Sequence, residues 1–541
     1  MMTAREQEFR EQLKSRGMWL FFLALTVLFC LFFSFWTSPY YKHWYACDSS
    51  LFAMVGRGIV EGRTPYVDFY DLKGPYLFFI NALGQLLHRG RLGIFLIEIP
   101  FGLIMNVFAW KLCRLYLSRI KSCFVMAVYF YSHVSTIWGG GTIEEYMMAL
   151  NMVAIYLVVS FMKDHDLKSD RIPALRIFFI GLFFGVMLFA KVTNAAPIIG
   201  MCIGIAVILI RYKRYRELWR CIGIFLTGAL TAALPMIIYF ALNGALAEML
   251  YCVFVFGYMR SVGNGDPEMI MWEMQLMGDV FAFLVAVLHF PVKAGTESPD
   301  PHKMPGLNER IKSIPVRLKS LYAGKNRPSL SFDMAVLLAA AAIVTYILLH
   351  IGSPWPYYFQ TEEPVIILAL TLFLKMYDPL VLFTNVREAI CLFTLFLFVL
   401  YFAFPGKDNL KQFIFKQDYT GYEDYYQDCR SIAGMIPQTD LDSVYSFGVH
   451  MAFYEITRIT PCNKYPDSLT LFITVKPSIK DEILEFIDKT PPKWLVIGNE
   501  DYPEGDIMRS IMEKVYEKYT PVYNTNNGSL YQLGVSGDGS H

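Results

Sequence analysis

The chain of 541 residues is short of charge: Asp, Glu, Lys and Arg make up 18% of it, against about 25% in soluble domains. It has no excess of either sign, with 48 Lys+Arg against 47 Asp+Glu. No basic domain is present, which excludes a nucleic-acid partner. The ten cysteines are scattered, and no Cys/His spacing suggests a zinc module. There is no repeat of roughly 20–50 residues, which argues against a solenoid, and no low-complexity run. What remains is apolar: 55% of residues are hydrophobic and 16% aromatic, gathered in blocks such as Trp19–Trp36, Met148–Met162 and Ile390–Phe404. This composition describes a polytopic α-helical membrane protein with one soluble end.

A span needs roughly 17–25 mainly apolar residues. The sequence predicts about eleven, near 18–36, 92–110, 122–138, 143–162, 174–190, 192–210, 221–242, 271–291, 333–351, 364–376 and 388–404. Lys and Arg crowd the segments 1–17, 111–121, 163–176, 211–220 and 292–332, whereas the alternate segments hold few, Lys42, Arg63 and Lys73 among them. By the positive-inside bias the N-terminus is cytoplasmic. Pro75–Leu87 is apolar but too short to cross, so it is expected in the outer interface. After Phe404 the composition turns polar and mixed, with strand-like runs at Ser443–Phe447 and Trp494–Ile497 and a helix-like run at Ile479–Asp488. The expected organisation is a membrane domain over 1–404 and an extracytoplasmic α/β domain over 405–541. Cys429 and Cys462 fall in the latter, where oxidation to a disulfide is open. Few charges fall inside spans, Asp279 and Glu98 being the main ones.

The informative segment is the first outer loop, 37–90. Asp48 precedes an amphipathic run, Phe52, Val55 and Ile59, that reads as a short interfacial helix starting at Ser49 and closed by Gly62. Asp48 can serve as a general base or simply as the cap of that helix. Asp68 and Asp71 follow in a turn-rich stretch, where such residues commonly sit. Pro75 suits the first position of a second helix. Free N–H groups at that start, beside Lys73, favour an anion such as a lipid phosphate. Elsewhere, Thr142 and Glu145 fit a capping box, which leaves Glu144 without a structural task. Lys191 and Arg260 lie at the outer edge of the predicted spans. Arg260 belongs to a loop containing Gly263-Asn264-Gly265-Asp266-Pro267. Both can reach a phosphate, or Lys191 can snorkel to headgroups.

These residues resemble the GT-C glycosyltransferases of the protein O-mannosyltransferase and aminoarabinose-transferase type. The resemblance rests on Asp48, Gly62, Pro65-Tyr66, Asp68 and Lys73-Gly74-Pro75 in the first loop. It continues in Gly141-Thr142-Ile143-Glu144-Glu145-Tyr146, Ala190-Lys191-Val192-Thr193 and Trp355-Pro356-Tyr357-Tyr358-Phe359-Gln360. Many relatives carry a second acid after the first, where this chain has Ser49. The resemblance implies a multi-pass bacterial plasma-membrane enzyme that moves a monosaccharide from a polyprenyl phosphate carrier to an acceptor hydroxyl on the outer face. Inversion at the anomeric carbon and Asp48 as general base are implied with it. Lys73, Lys191 and Arg260 are expected to bind the donor phosphate. Asp68, Asp71, Glu144, Glu145, Tyr357, Tyr358 and Gln360 are expected to bind sugar or acceptor. The acceptor classes are a cell-wall glycan, a teichoic acid, a lipid-linked glycan or a protein, with membrane lipids around the enzyme. No metal or cofactor is expected to be required, although a divalent cation is not excluded. The alternative is a transporter or flippase of a lipid-linked or small substrate, which would place charges near the membrane midplane.

Overall fold

In lipid every backbone N–H and C=O must be satisfied within the segment, so apolar blocks of this length can only be helices. A computed structural model describes residues 4–43, 45–137, 139–263, 277–291, 329–350, 356–377, 389–399, 420–466, 469–498 and 506–534. Helices occupy each predicted span: α1 (Ala4–Phe33), α4 (Arg91–Tyr116), α5 (Arg119–Thr136), α6 (Ile143–Asp164), α7 (Ala174–Leu188), α8 (Ala196–Arg211), α9 (Tyr215–Leu242), then Met277–Leu288, Phe332–Leu349, Glu363–Met376 and Ala389–Val399. Among the described residues, six are long and apolar enough to cross a membrane, ending at Phe33, Tyr116, Asp164, Arg211, Leu242 and Leu349. The others are shorter or more polar. Parts of the predicted spans 271–291 and 388–404 lie outside the described residues, as do Trp355 and the stretch Asn264–Pro267.

The lipid-facing side is visible on α9. Trp219, Ile222, Leu226, Leu230, Leu234 and Ile238 are exposed at three- and four-residue intervals, one continuous stripe of a helix. Its other face packs on α7 through glycine. A Cβ at Gly228 would fall on the Phe178 carbonyl and one at Gly185 on the Ala229 carbonyl, the close backbone approach that small residues permit in membranes.

Two short helices fill the first outer loop, α2 (Cys47–Val60) and α3 (Pro75–Leu87). The turn after α2 closes at Gly62, φ +88°, and Pro75 is the first residue of α3. The expected interfacial position holds for one of them only in part. α3 leaves Leu83, Leu86 and Leu87 exposed, but Ser49–Gly58 of α2 are all buried. The C-terminal part covers α2. Arg57, 6% exposed, donates from Nη1 to the Tyr454 carbonyl (3.2 Å) and from Nη2 to the Ile459 carbonyl (2.8 Å). The Tyr70 N–H donates to the Lys464 carbonyl at 2.6 Å, and the Tyr70 ring packs on Tyr465 and Phe472.

That C-terminal part carries a four-stranded sheet, β1 (Val444–Phe447), β2 (Trp494–Gly498), β3 (Tyr519–Asn524) and β4 (Gly528–Leu533), in the order β1-β2-β4-β3. β1 and β2 run parallel, Val444 opposite Trp494. Such pairing needs a crossover, supplied by the helix Ser478–Lys489. β3 and β4 form an antiparallel hairpin. Cys429 and Cys462 are unpaired thiols.

Candidate active site

Asp48 is not the cap of α2. The helix begins at Cys47 with Ala46 as its cap, so Asp48 sits inside the first turn with its carboxylate free to point outward. Its Oδ2 accepts a hydrogen bond from the Tyr357 hydroxyl at 3.2 Å. Tyr357 is the second residue of a 3₁₀ turn, Pro356–Thr361, ahead of the helix Glu363–Met376. The Tyr357 and Tyr358 rings meet edge to face at 4.9 Å. Lys191 Nζ lies 3.0 Å from the centre of the Tyr358 ring and 2.6 Å from Glu144 Oε1. Asp48, Tyr357, Tyr358, Lys191 and Glu144 thus form one connected chain of side chains.

Lys73 joins it through the backbone. Its N–H donates to Asp71 Oδ1 (2.7 Å) and its carbonyl accepts from the Tyr66 hydroxyl (2.7 Å). The Gly74 N–H donates to the Ala190 carbonyl (2.8 Å) and the Tyr76 N–H to the Phe189 carbonyl (3.1 Å). These bonds strap the loop to the chain just before Lys191. Gly74 is required there, because a Cβ would fall on the Phe189 and Ala190 carbonyls. They also correct an expectation: the N–H groups at the start of α3 are already taken, so an anion beside Lys73 must be held by side chains.

Lys73, Lys191 and Arg260 line one cavity of about 360 Å³ with Tyr358 and Thr193. Leu188, Val192, Ile199, Val253, Phe254 and Leu349 supply much of its apolar wall. A few convergent polar groups in an apolar cleft of this size is the usual form of a small-molecule site. Among the described residues, Arg260 Nε has no hydrogen bond, whereas Lys191 has a carboxylate beside it. Burial works against the Lys73 ammonium, but Tyr358, Asp48 and Asp71 outweigh it and hold its pKa above the ordinary value. Burial likewise opposes ionisation of Tyr358, yet Lys191 and Lys73 bring that phenol below its usual value. Burial raises the Asp71 carboxyl against the pull of Lys73. Lys73 and Tyr358 thus favour each other's charged forms at the cavity wall.

Other predicted site residues lie elsewhere. Gln360 is fully buried and donates from Nε2 to the Thr136 carbonyl at 2.8 Å. Glu145 turns away from the cavity and accepts from the Gly141 N–H (3.0 Å). The expected capping box is not made, since Thr142 Oγ1 has no hydrogen bond. Asp68 accepts from the Thr64 N–H at 2.7 Å and lines a separate polar cleft with Arg63, Lys464 and Glu482.

No motif in the sequence singles out His450. It follows β1 in the C-terminal part, accepts the Ala452 N–H on Nδ1 (3.1 Å), and is close enough to Asp48 to feel its charge. Burial pushes its pKa down to about 4, against the opposing pull of Asp48. Buried acids are also more numerous than the sequence suggested. Glu98, Glu144, Glu145, Asp279, Glu362 and Glu363 are all buried, and His133 Nδ1 pairs with Glu363 Oε2 at 2.9 Å. Glu144, Glu145, Glu362 and Glu363 lie at or within three residues of a helix N-terminus.

No family model matches the chain, and no curated protein matches it. Among solved structures it is similar to ArnT from Cupriavidus metallidurans bound to undecaprenyl phosphate. The two are 13% identical, aligned over 97% of this chain and 99% of the other, with a TM-score of 0.56. The apo state of that protein aligns with a TM-score of 0.49 at 11% identity, over 96% of this chain and 98% of the other. The archaeal oligosaccharyltransferase AglB from Archaeoglobus fulgidus, in complex with an inhibitory peptide and a dolichol-phosphate, aligns with 0.46 at 12%, over 90% and 70%. Only the first is close enough to carry an argument, and what it shows is the fold. The chain is a mostly helical, multi-pass membrane protein with the fold of ArnT.

Proposed function

We propose that the chain is a glycosyltransferase that takes a monosaccharide from a polyprenyl phosphate carrier and passes it to a hydroxyl of a cell-surface glycan, teichoic acid or glycolipid. The observation that carries this reading is the shared cavity. Three cations from three separate segments, Lys73, Lys191 and Arg260, line one apolar-walled cleft, and Asp48 is linked to it through Tyr357 and Tyr358. The likeness to ArnT, which was crystallised with undecaprenyl phosphate, supports the same ligand class here. In this reading the membrane part crosses about eleven times with its N-terminus in the cytoplasm. Residues 405–541 form an extracytoplasmic domain that roofs the first outer loop.

The reaction follows from these positions. The acceptor hydroxyl gives its proton to Asp48 Oδ1, since Oδ2 is engaged by Tyr357. Its oxygen bonds to the anomeric carbon as the bond from that carbon to the phosphate oxygen breaks. A positioned base contributes about 10²–10⁴-fold. The departing polyprenyl phosphate gains negative charge, which Lys73 and Arg260 stabilise in place. The carbon is attacked opposite the leaving group, so it inverts. A translocation path would string charges across the membrane thickness. Here Glu144, Glu145, Glu362 and Glu363 gather at helix starts, which favours surface chemistry, whereas Glu98 lies two turns into α4. Purified protein with a polyprenyl-phosphate sugar and membrane acceptors tests the reading. Asp48→Asn is expected to lower turnover by at least about 100-fold, and full turnover in that variant would exclude Asp48 as the base.

A further inference from the structure

Away from the cavity, three helices bring buried donors to one point. Cys30 lies one turn before the end of α1, Glu98 two turns into α4 and Glu145 in the first turn of α6; they are 3%, 0% and 3% exposed. The cysteine sulfur and one oxygen from each carboxylate all lie within 4.8 Å of one another. Each carboxylate is oriented from behind. The Thr37 hydroxyl donates to Glu98 Oε2 (2.9 Å) and the Gly141 N–H to Glu145 Oε2 (3.0 Å), as outer partners orient metal ligands. Among the described residues neither acid has a lysine or arginine partner. Glu98 Oε1 accepts no hydrogen bond of good geometry, although Ser34 lies beside it, and an acceptor buried in that state is costly unless something binds it.

We propose that Cys30, Glu98 and Glu145 bind one divalent transition-metal ion, zinc by its donor chemistry, which ties α1, α4 and α6 together beside the Gly139–Gly141 turn. A thiolate with two carboxylates suits zinc better than magnesium or calcium, which take oxygen alone. Tetrahedral donors lie about 3.5 Å apart, so the side chains close by about 1 Å around the ion. Binding releases the thiol proton to solvent. The two positive charges of the ion offset two of the three negative charges on the carboxylates and the thiolate, and the site keeps a net charge of −1. The site has a positioning role: the Ser49 hydroxyl donates to the Gly140 carbonyl at 2.9 Å, so the turn that the ion would brace also holds the residue next to Asp48.

Cobalt(II) tests this without reference to any reaction. Full-length protein in detergent, stripped with a chelator and reloaded, is expected to hold about one cobalt per chain and to show a near-ultraviolet thiolate-to-cobalt band that zinc abolishes. Cys30→Ser should remove the band. Glu98→Gln should keep the thiol but weaken metal binding by about tenfold or more, and it serves as the deciding variant should Cys30→Ser not fold. Two results overturn the proposal. One is a wild-type protein that retains no metal and shows no band, in which case the two acids share a proton. The other is a band unchanged in Cys30→Ser or an affinity unchanged in Glu98→Gln, which puts the ion elsewhere.

Discussion

Replacing Lys73 by Gln removes one of three cations from the cavity while keeping a side chain of similar length. The turn that presents it is held by backbone bonds to Asp71, Tyr66 and Ala190, and these do not need the ammonium. The variant should therefore fold. A charge-assisted hydrogen bond to a phosphate oxygen is worth about 1.5–3 kcal/mol, or about 10- to 150-fold in affinity. The loss should fall toward the upper end, because Asp48 and Asp71, whose charges support that of Lys73, are left to repel the anion. Binding of undecaprenyl phosphate to protein in nanodiscs, measured at two salt concentrations, gives the number. Arg260→Gln should weaken binding by a similar factor at little cost in stability, since no ion pair of Arg260 is broken among the described residues. Lys191→Met should weaken it and also cost about 3 kcal/mol of stability, because Glu144 is left buried without its partner. If Lys73→Gln binds within about threefold of wild type, the cavity is not the phosphate site and the reasoning fails.

Three further outcomes are expected. Gly74→Ala places a methyl on the Phe189 and Ala190 carbonyls; it should cost about 1–3 kcal/mol and reduce phosphate binding although no cation has changed, which melting curves and binding together will show. Arg57→Met leaves the Tyr454 and Ile459 carbonyls unsatisfied and should cost about 3 kcal/mol, seen as faster proteolysis after residue 400, with Arg57→Lys recovering only part because it lacks the fork. His450 is held near pKa 4 in the folded chain against an ordinary 6.5. The unfolded state therefore binds the extra proton first, and stability that is full above about pH 6.5 falls by about 3 kcal/mol as the pH drops toward 4. Proteolysis of the C-terminal part should accelerate over that window, and His450→Gln should flatten the response.

The features legible in the sequence were those set by local chemistry. Apolar blocks became helices because lipid leaves no other way to satisfy the backbone. Gly62 closed its turn and Pro75 opened its helix where the conformational limits of those residues placed them. The helix and strands around 443–497 fell within a residue or two of their predicted ends. The β3–β4 hairpin carries a short turn signal, Asn527-Gly528 before an alternating run. What could not be read depends on distant partners. The burial of α2 requires Tyr454 and Ile459, about 400 residues away in the chain. Asp48 lost its capping role because Ala46 already has the extended conformation that starts the helix. Gln360 and Glu145 sit in motifs beside cavity residues, yet a helical or 3₁₀ turn points neighbours in different directions. One side chain of each pair, Tyr358 or Glu144, reaches the site while the other turns into the bundle.

The most direct measurement follows two products at once in proteoliposomes supplied with a labelled polyprenyl-phosphate sugar and an acceptor glycan. The account predicts that free polyprenyl phosphate appears in step with glycosylated acceptor, one for one, and that Asp48→Asn stops both. Movement of the labelled sugar across the bilayer with no polyprenyl phosphate released would contradict it and make the protein a carrier.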